Sequence, residues 1–297
     1  MLKEYALDPD CLSEWSIFRY IIENFGVPHG RLIAEFPSKW IRMVYASCGS
    51  FSFLQKQKLQ IELARIKKQG LSKTSRPYDG GLEWLDNALA QRNDNPFHAI
   101  ISAKSDAENL ILDAAEITET DPLWGVQRTM VVPRTADAMA AAVSSLLLVS
   151  KRIVFIDPHF GPENARHRRP LRAFLAAIMN NRILGAPVVE VHTQVKSTED
   201  FFRSECRRRL TPLIPPGLTV RFVRWVARDG GQQLHNRYIL TDLGGVAFSH
   251  GLDEGQAGET DDVTLLDRQS YEQRWLEYVG ENPAFELTEE PFDIQGP

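Results

Sequence analysis

Between Arg128 and Val226 the chain alternates short apolar runs with longer amphipathic ones, and this alternation restricts the available folds more than any other feature of the sequence. RTMVVP, RIVFIDPHF, APVVEVHT and LTVRFVRWV read as strands, and TADAMAAAVSSLLLVSK, RRPLRAFLAAIMNN and TEDFFRSECRRRL read as the helices between them. A strand sends successive side chains to opposite faces, whereas a helix buries one stripe. Strands joined by helices of about ten to fifteen residues make βαβ units. The expected fold class is therefore α/β, with a largely parallel sheet covered on both faces.

The flanking regions differ from this core. Residues 1–125 read as a mainly helical region: SEWSIFRYIIENFG, FSFLQKQKLQIELARIKKQG and LEWLDNALAQR each carry apolar residues near helical spacing, and the first two end at Gly. FHAIISA, after the turn-rich NDNP, is a short apolar run that reads as a strand. Residues 126–297 form the α/β domain, whose final part adds a hairpin ILTDLGGVAF turned at the Gly pair, a strand DVTLLD and a helix SYEQRWLEYVG. The last dozen residues, acidic and Pro-containing, read as a loose tail.

Composition excludes several classes. With 43% hydrophobic and 25% charged residues the chain has a globular balance, and its longest apolar candidate, MAAAVSSLLLVS, is too short for a transmembrane span. MLKEYALDPD lacks the basic and apolar regions of a secretory signal, so a cytoplasmic location is expected. Cys11, Cys48 and Cys206 are widely spaced and form no Cys/His cluster, which predicts buried thiols, no disulfide framework and no structural metal. The net charge of −5 is unevenly spread: Lys151–Leu240 holds 16 Lys/Arg against 7 Asp/Glu, and Thr241–Pro297 holds 2 against 14. The middle segment is the part suited to meet a polyanion.

One constellation carries chemistry. LHNRYILTDLGGVAFSHG, Leu234–Gly251, contains His235, Arg237 and Asp242 in the pattern H-x-R-x4-D. Placed on a strand, His235 and Arg237 share a face. Arg can clamp two non-bridging phosphate oxygens while a neutral ring nitrogen attacks phosphorus, so such a site needs no metal or other cofactor. Asp242 falls on the opposite parity, roughly 23 Å along an extended strand, and is expected to fix the strand end and the turn. The carboxylate that orients His235 is sought in the acidic return segment, among Asp253, Glu254, Glu259, Asp261 and Asp262.

H-x-R-x4-D followed by a Gly/Ser-rich strand resembles the H-x-K-x4-D signature of the phospholipase D superfamily, and the flanks from about Val131 to Tyr278 resemble the helices and strands around that motif. The resemblance implies a sheet flanked by helices, His235 as the nucleophile that forms a phosphohistidine, Arg237 as the phosphate clamp in the Lys position, and Asp242 as the third motif residue. With one motif per chain it also implies a homodimer, the second histidine coming from the partner's copy across a two-fold axis. Single-motif members are typically nucleases, which gives a metal-independent nuclease as the expected function, in a setting such as bacterial antiviral defence. Two positions depart from the pattern: Arg replaces Lys, and Ser249-His250 stands where a Gly-Ser pair is expected. SHGLDEG is similar to a stretch in the phospholipase D-like C-terminal domains of MIT-domain proteins, which implies the alternative of a non-catalytic module binding nucleic acid or anionic lipid. A hydrolase of small or lipid phosphodiesters is the third reading.

Other residues join this picture. His159, at the end of RIVFIDPHF, sits where ligands of parallel sheets collect and is expected to line the pocket or to serve as the leaving-group acid in a monomer; with Ser249 and His250 it is assigned to substrate binding. His167, in RHRR, reads as part of a solvated basic helix start, while His29, His98 and His192 carry no pattern. RHRRPLR and RRR are runs suited to a nucleic-acid backbone or to a solvated helix face. The N-terminal region is expected to dock a protein partner.

Overall fold

Four helices do occupy the N-terminal region, but five short parallel strands run between them. In chain order these elements are β1 (Lys3–Leu7), α1 (Trp15–Glu23), β2 (Arg31–Ala34), α2 (Trp40–Ser47), α3 (Phe53–Gln69), β3 (Leu71–Ser72), α4 (Trp84–Ala90), β4 (Ala99–Ser102) and β5 (Ile111–Asp113). The strands form one sheet in the order β3-β2-β1-β4-β5, all neighbours parallel. The reading of this region as mainly helical is thus corrected to α/β. The strands escaped notice because they are two to five residues long, and β2 and β4 are buried at every position, so no polar alternation marks them.

Both faces of this sheet are covered. Tyr5, Leu7, Ile33 and Ile101 pack with Phe18, Ile22, Trp40 and Leu63, while Ala6, Ala34 and Ile100 pack with Phe36, Trp84 and Phe97. Ser52 and Gln55 close a reciprocal capping box at the start of α3, as the sequence SFLQ permits. Strand order reverses between β1 and β4, and the chain leaving β1 there brings Asp8 beside Ser102 at the carboxyl end of the sheet. Ser102 Oγ donates to Asp8 and Ser47 Oγ donates to Asp10. Burial holds the Asp8 carboxyl above the usual carboxylate range, against the hydrogen bond from the Asp10 amide, and the charge of Asp10 adds to the rise.

The computed structural model describes all 297 residues, and its second compact unit spans Arg128–Pro297. Here the expected alternation is present: β6 (Thr129–Pro133), α5 (Ala136–Val149), β7 (Arg152–Ile156), α6 (Ala165–Met179), β8 (Val188–Gln194), α7 (Glu199–Leu210) and β9 (Thr219–Ala227). The hairpin follows as β10 (Arg237–Thr241) and β11 (Gly245–Phe248), then β12 (Thr260–Leu265), α8 (Arg268–Val279), β13 (Phe285–Leu287) and β14 (Phe292–Gln295). The sheet order is β13-β9-β8-β7-β10-β11-β12-β6, with β14 also paired to β9. β7, β8 and β9 are mutually parallel; β10, β11, β12 and β6 continue the sheet antiparallel, so the largely parallel sheet expected here is corrected to a mixed one, because the chain after β9 returns through hairpins rather than helical crossovers. On one face Val154, Ile156, Tyr238 and Leu240 pack against Tyr271 and Tyr278 of α8. On the other, Phe155 stacks on Phe174 of α6, and Phe222 meets Phe202 of α7.

The C-terminal tail is not loose. β13 and β14 pair antiparallel with β9, and two of the tail's acids meet arginines of that strand: Asp293 binds Arg221, and Glu289 binds Arg224 at 2.9 Å. Arg224 is 2% exposed, donates to Ser197 O and lies over the Phe202 ring. The tail is held because its Phe292 and Ile294 are buried and its carboxylates neutralise a guanidinium that has no other anion.

Two stability predictions follow from these contacts. Glu289→Ala leaves a buried guanidinium uncompensated and should cost about 3 kcal/mol in urea unfolding, whereas Arg224→Met with Glu289→Leu should recover most of it; an unchanged midpoint for Glu289→Ala would mean the tail contributes nothing. Because Asp8 is harder to ionise in the folded chain, its charge opposes folding above the folded-state pKa. Asp8→Asn should therefore raise the melting temperature at pH 7, with the gain disappearing as pH falls below the usual Asp value of about 4; a gain that stays constant through acid pH would contradict the assignment.

Candidate functional site

The carboxyl ends of β7 and β8 and the start of β10 lie at one end of the second sheet, because β10 is antiparallel to β7. This end gathers Asp157 and His159 after β7, Lys196 after β8, His235 and Arg237 at the entry to β10, Ser249 and His250 after β11, and Asp261 at the start of β12. The pairing registers tie these positions together. Tyr238 faces Ile156 and Arg237 faces Phe248, while Phe248 faces Val263. His159, His235 and His250 lie in the segments that leave β7, enter β10 and leave β11, just outside the last ladder pairs, and Asp261 stands at the start of β12.

The strand that carries the motif begins at Arg237, later than the sequence implied, and His235 lies in the connection before it. β7 ends at Ile156, opposite Tyr238, so the chain before Arg237 has no ladder to enter. His235 is exposed and makes no hydrogen bond. None of the return-segment carboxylates orients it. Asp253 binds Arg134 and Arg166, Glu254 binds Arg169, Glu259 binds Arg134, and Asp261 binds His250.

Arg237 is half-buried, has no ion pair, and its Nε is buried without a hydrogen-bond partner. Lys196, exposed, donates to Nδ1 of His159 and pairs with no carboxylate. That bond leaves the ring proton of neutral His159 on Nε2. Desolvation, and then the charge of Lys196, hold the His159 ring below its usual value; Asp157 opposes this and Arg237 adds to it. Two cations without anions, beside a ring kept neutral, form a site whose electrostatics call for an anionic ligand.

His250 is arranged differently. Its Nδ1 lies 3.3 Å from Asp261 Oδ1, and the same carboxylate accepts the Ser249 N–H at 2.9 Å and the His250 N–H at 3.1 Å. Asp261 is 1% exposed, while the His250 side chain is 61% exposed. Ser249 Oγ donates to Asp262 O, which ties it to β12 rather than leaving it turned to a ligand.

Asp157 accepts from the amides of His159 and Leu252, and His167 Nδ1 accepts from Gly161 N–H. Asp157, His167 and Asp253 offer ligand atoms within 4.8 Å of one another, but Arg134 and Arg166 already supply Asp253 with the positive charge a cation would bring. His167 is buried, which corrects its reading as part of a solvated helix start. His192, which carried no pattern in the sequence, is 2% exposed and bonded to Glu190 and to Trp225 Nε1, deep in the sheet.

Asp242 sits at the other end of β10. Its Oδ1 accepts the backbone N–H groups of Lys151 and Arg152, at 2.8 and 3.0 Å, and so fastens the hairpin turn to the start of β7. It belongs to the motif's framework and is remote from His235. The basic runs are largely spoken for as well: Arg166, Arg169, Arg208 and Arg209 all pair with carboxylates.

No protein-family model matches this chain, and no curated protein does. Among solved structures it is similar to TrmBL2, an archaeal chromatin protein whose structure is described as showing a novel mode of DNA binding. That likeness has 12% identity and a TM-score of 0.28 and covers 54% of this chain, which spans about half of that structure (55%). At that score it supports no conclusion about fold or function. No helix is long and apolar enough to cross a membrane.

If Asp242 is a brace, its removal should cost stability alone. Asp242→Ala should lower unfolding free energy by about 1–3 kcal/mol, since two amides lose their acceptor, and Asp242→Asn should restore most of it. Retention of inorganic phosphate or heparin should be unchanged in both variants; a selective loss of anion binding with intact stability would contradict the brace.

Proposed function

We propose that this sheet end is a phosphodiester-cleaving site, acting on nucleic acid without a metal, with His235 as nucleophile and Arg237 and Lys196 as the phosphate clamp. The observation that carries the reading is Arg237: a half-buried guanidinium with a buried, unpartnered Nε and no carboxylate, beside a second uncompensated cation. Desolvating such a group is costly, and a phosphate bound bidentately supplies the missing acceptors. The neutral, proton-bearing Nε2 of His159 adds a donor to the same oxygens. His235, exposed and unhindered, has a ring nitrogen available to attack phosphorus.

One observation favours a second reading. His235 has no partner to fix its ring, as expected of a module that binds phosphate groups of nucleic acid or anionic lipid without cleaving them. The two are separated by incubating the full chain with plasmid, single-stranded DNA and RNA in EDTA, beside His235→Ala and Arg237→Ala. The cleavage reading predicts EDTA-resistant products that fall by at least about a thousandfold in His235→Ala. Salt-sensitive binding to DNA or to phosphatidylserine vesicles with no cleavage, lost in Arg237→Ala, would establish the module instead. Cleavage abolished by EDTA and restored by a divalent cation would overturn the metal-free mechanism.

A further inference from the structure

The geometry points to the α2–α3 pair of the N-terminal unit as a docking surface for an anionic lipid bilayer, with α3 lying along the headgroups and its outward side chains reaching the acyl chains. This surface belongs to the compact unit Leu2–Gln127 and is independent of the phosphodiester-cleaving reading, whose residues all lie after Arg128.

α3 has two apolar faces. Leu59, Leu63 and Ile66 are buried and pack into the core of the unit. With about 100° between successive residues, Phe53, Leu54, Ile61 and Ala64 fall in a sector of roughly 100° on the opposite side of the helix. These side chains are turned to water: Phe53 is 78%, Ile61 67% and Leu54 61% exposed. The fold does not require them, because the inner stripe anchors the helix and Ser52 and Gln55 cap it. Large apolar side chains gathered on one outward face, rather than scattered singly, mark an interaction surface.

The charge around this stripe has one sign. α3 carries Lys56, Lys58, Arg65, Lys67 and Lys68 against a single acid, Glu62, and Arg65 holds that acid at 2.8 Å. On the helical wheel Lys56 and Lys67 border the stripe on one side and Lys58 borders it on the other. α2 contributes Arg42 and no acid. Between the two helices opens a recess of about 320 Å³, with the buried Cys48 and Leu59 as its floor and the exposed Tyr45, Phe53 and Lys56 at its mouth.

These features select the occupant. An apolar stripe between rows of lysines suits a helix lying flat in a membrane interface, its apolar groups toward the acyl chains and its ammonium groups among the lipid phosphates. An apolar recess with an ammonium at its mouth accepts an acyl chain beneath an anionic headgroup. Nucleic acid would satisfy the lysines but leave Phe53, Leu54 and Ile61 in water. A second copy docked through the same face would set lysine against lysine.

The test is flotation of the full chain with vesicles of phosphatidylglycerol and phosphatidylcholine in equal parts, beside vesicles of phosphatidylcholine alone. Wild type should float with the first and not with the second, and high salt should weaken the association. Phe53→Ser with Ile61→Ser should lower the partition coefficient at least about a hundredfold. Lys56→Ala with Lys58→Ala should lower it about thirtyfold. These positions are exposed, so the unfolding midpoints of the variants should match wild type. Arg237→Ala should float as wild type does, which separates this surface from lipid binding at the sheet end. A wild type that stays in the soluble fraction would overturn the proposal, and so would association that survives both pairs of α3 substitutions or is lost in Arg237→Ala alone. Light scattering on the same proteins covers the remaining occupant: a mass that rises with concentration in wild type but not in Phe53→Ser with Ile61→Ser, without vesicle binding, would give the face to a second copy and likewise overturn it.

Discussion

The pair of hydrogen bonds from Lys151 and Arg152 amides to Asp242 fixes how β10 lies against β7, and the candidate site depends on that pairing. A strand has a side-chain period of two, so a slip of one residue would turn Arg237 to the α8 face and bring Tyr238 and Leu240 out of their packing with Tyr271 and Tyr278. Asp242 acts at one end of β10 and the histidines at the other, joined by five ladder residues. The motif is therefore a register device at its Asp end and a phosphate-facing group at its His end.

Electrostatics separate the site from the rest of the basic segment. The excess of Lys and Arg in Lys151–Leu240 suggests a broad positive surface, yet the fold answers half of its sixteen cations with carboxylates. The acidic tail meets Arg221 and Arg224, and the return loop meets Arg134, Arg166 and Arg169. Arg237 and Lys196 have no carboxylate partner, and both act on the His159 ring. What sets Arg237 apart from the solvated cations is a buried, unpartnered nitrogen on a group that has no carboxylate, which makes the missing counter-charge costly.

The alternation of strands and helices after Arg128 was legible because each element is long enough to show its period, and β6 to α8 lie where it places them. The parallel strands near the N-terminus were not, since RLIA and AIIS are too short and too uniformly apolar to show one. At the site, the positions of Arg237 and Asp242 followed from strand geometry. The start of β10 did not, because it is set by where β7 ends. Nor did the bond from Asp261 to His250 rather than His235, because a cross-strand partner depends on registers that local sequence does not encode. The signal was present in retrospect: a histidine two residues past a hairpin strand, and an aspartate at the start of the strand that pairs with it.

The most direct test of the account is to look for the covalent intermediate. Acid-labile, base-stable phosphate should be trapped on the wild-type chain by rapid quenching with a labelled DNA substrate in EDTA, and peptide mass spectrometry should place it on His235. The account predicts that adduct in wild type and its absence in His235→Ala. Turnover with no phosphorylated histidine, or with the label on a residue other than His235, would contradict it.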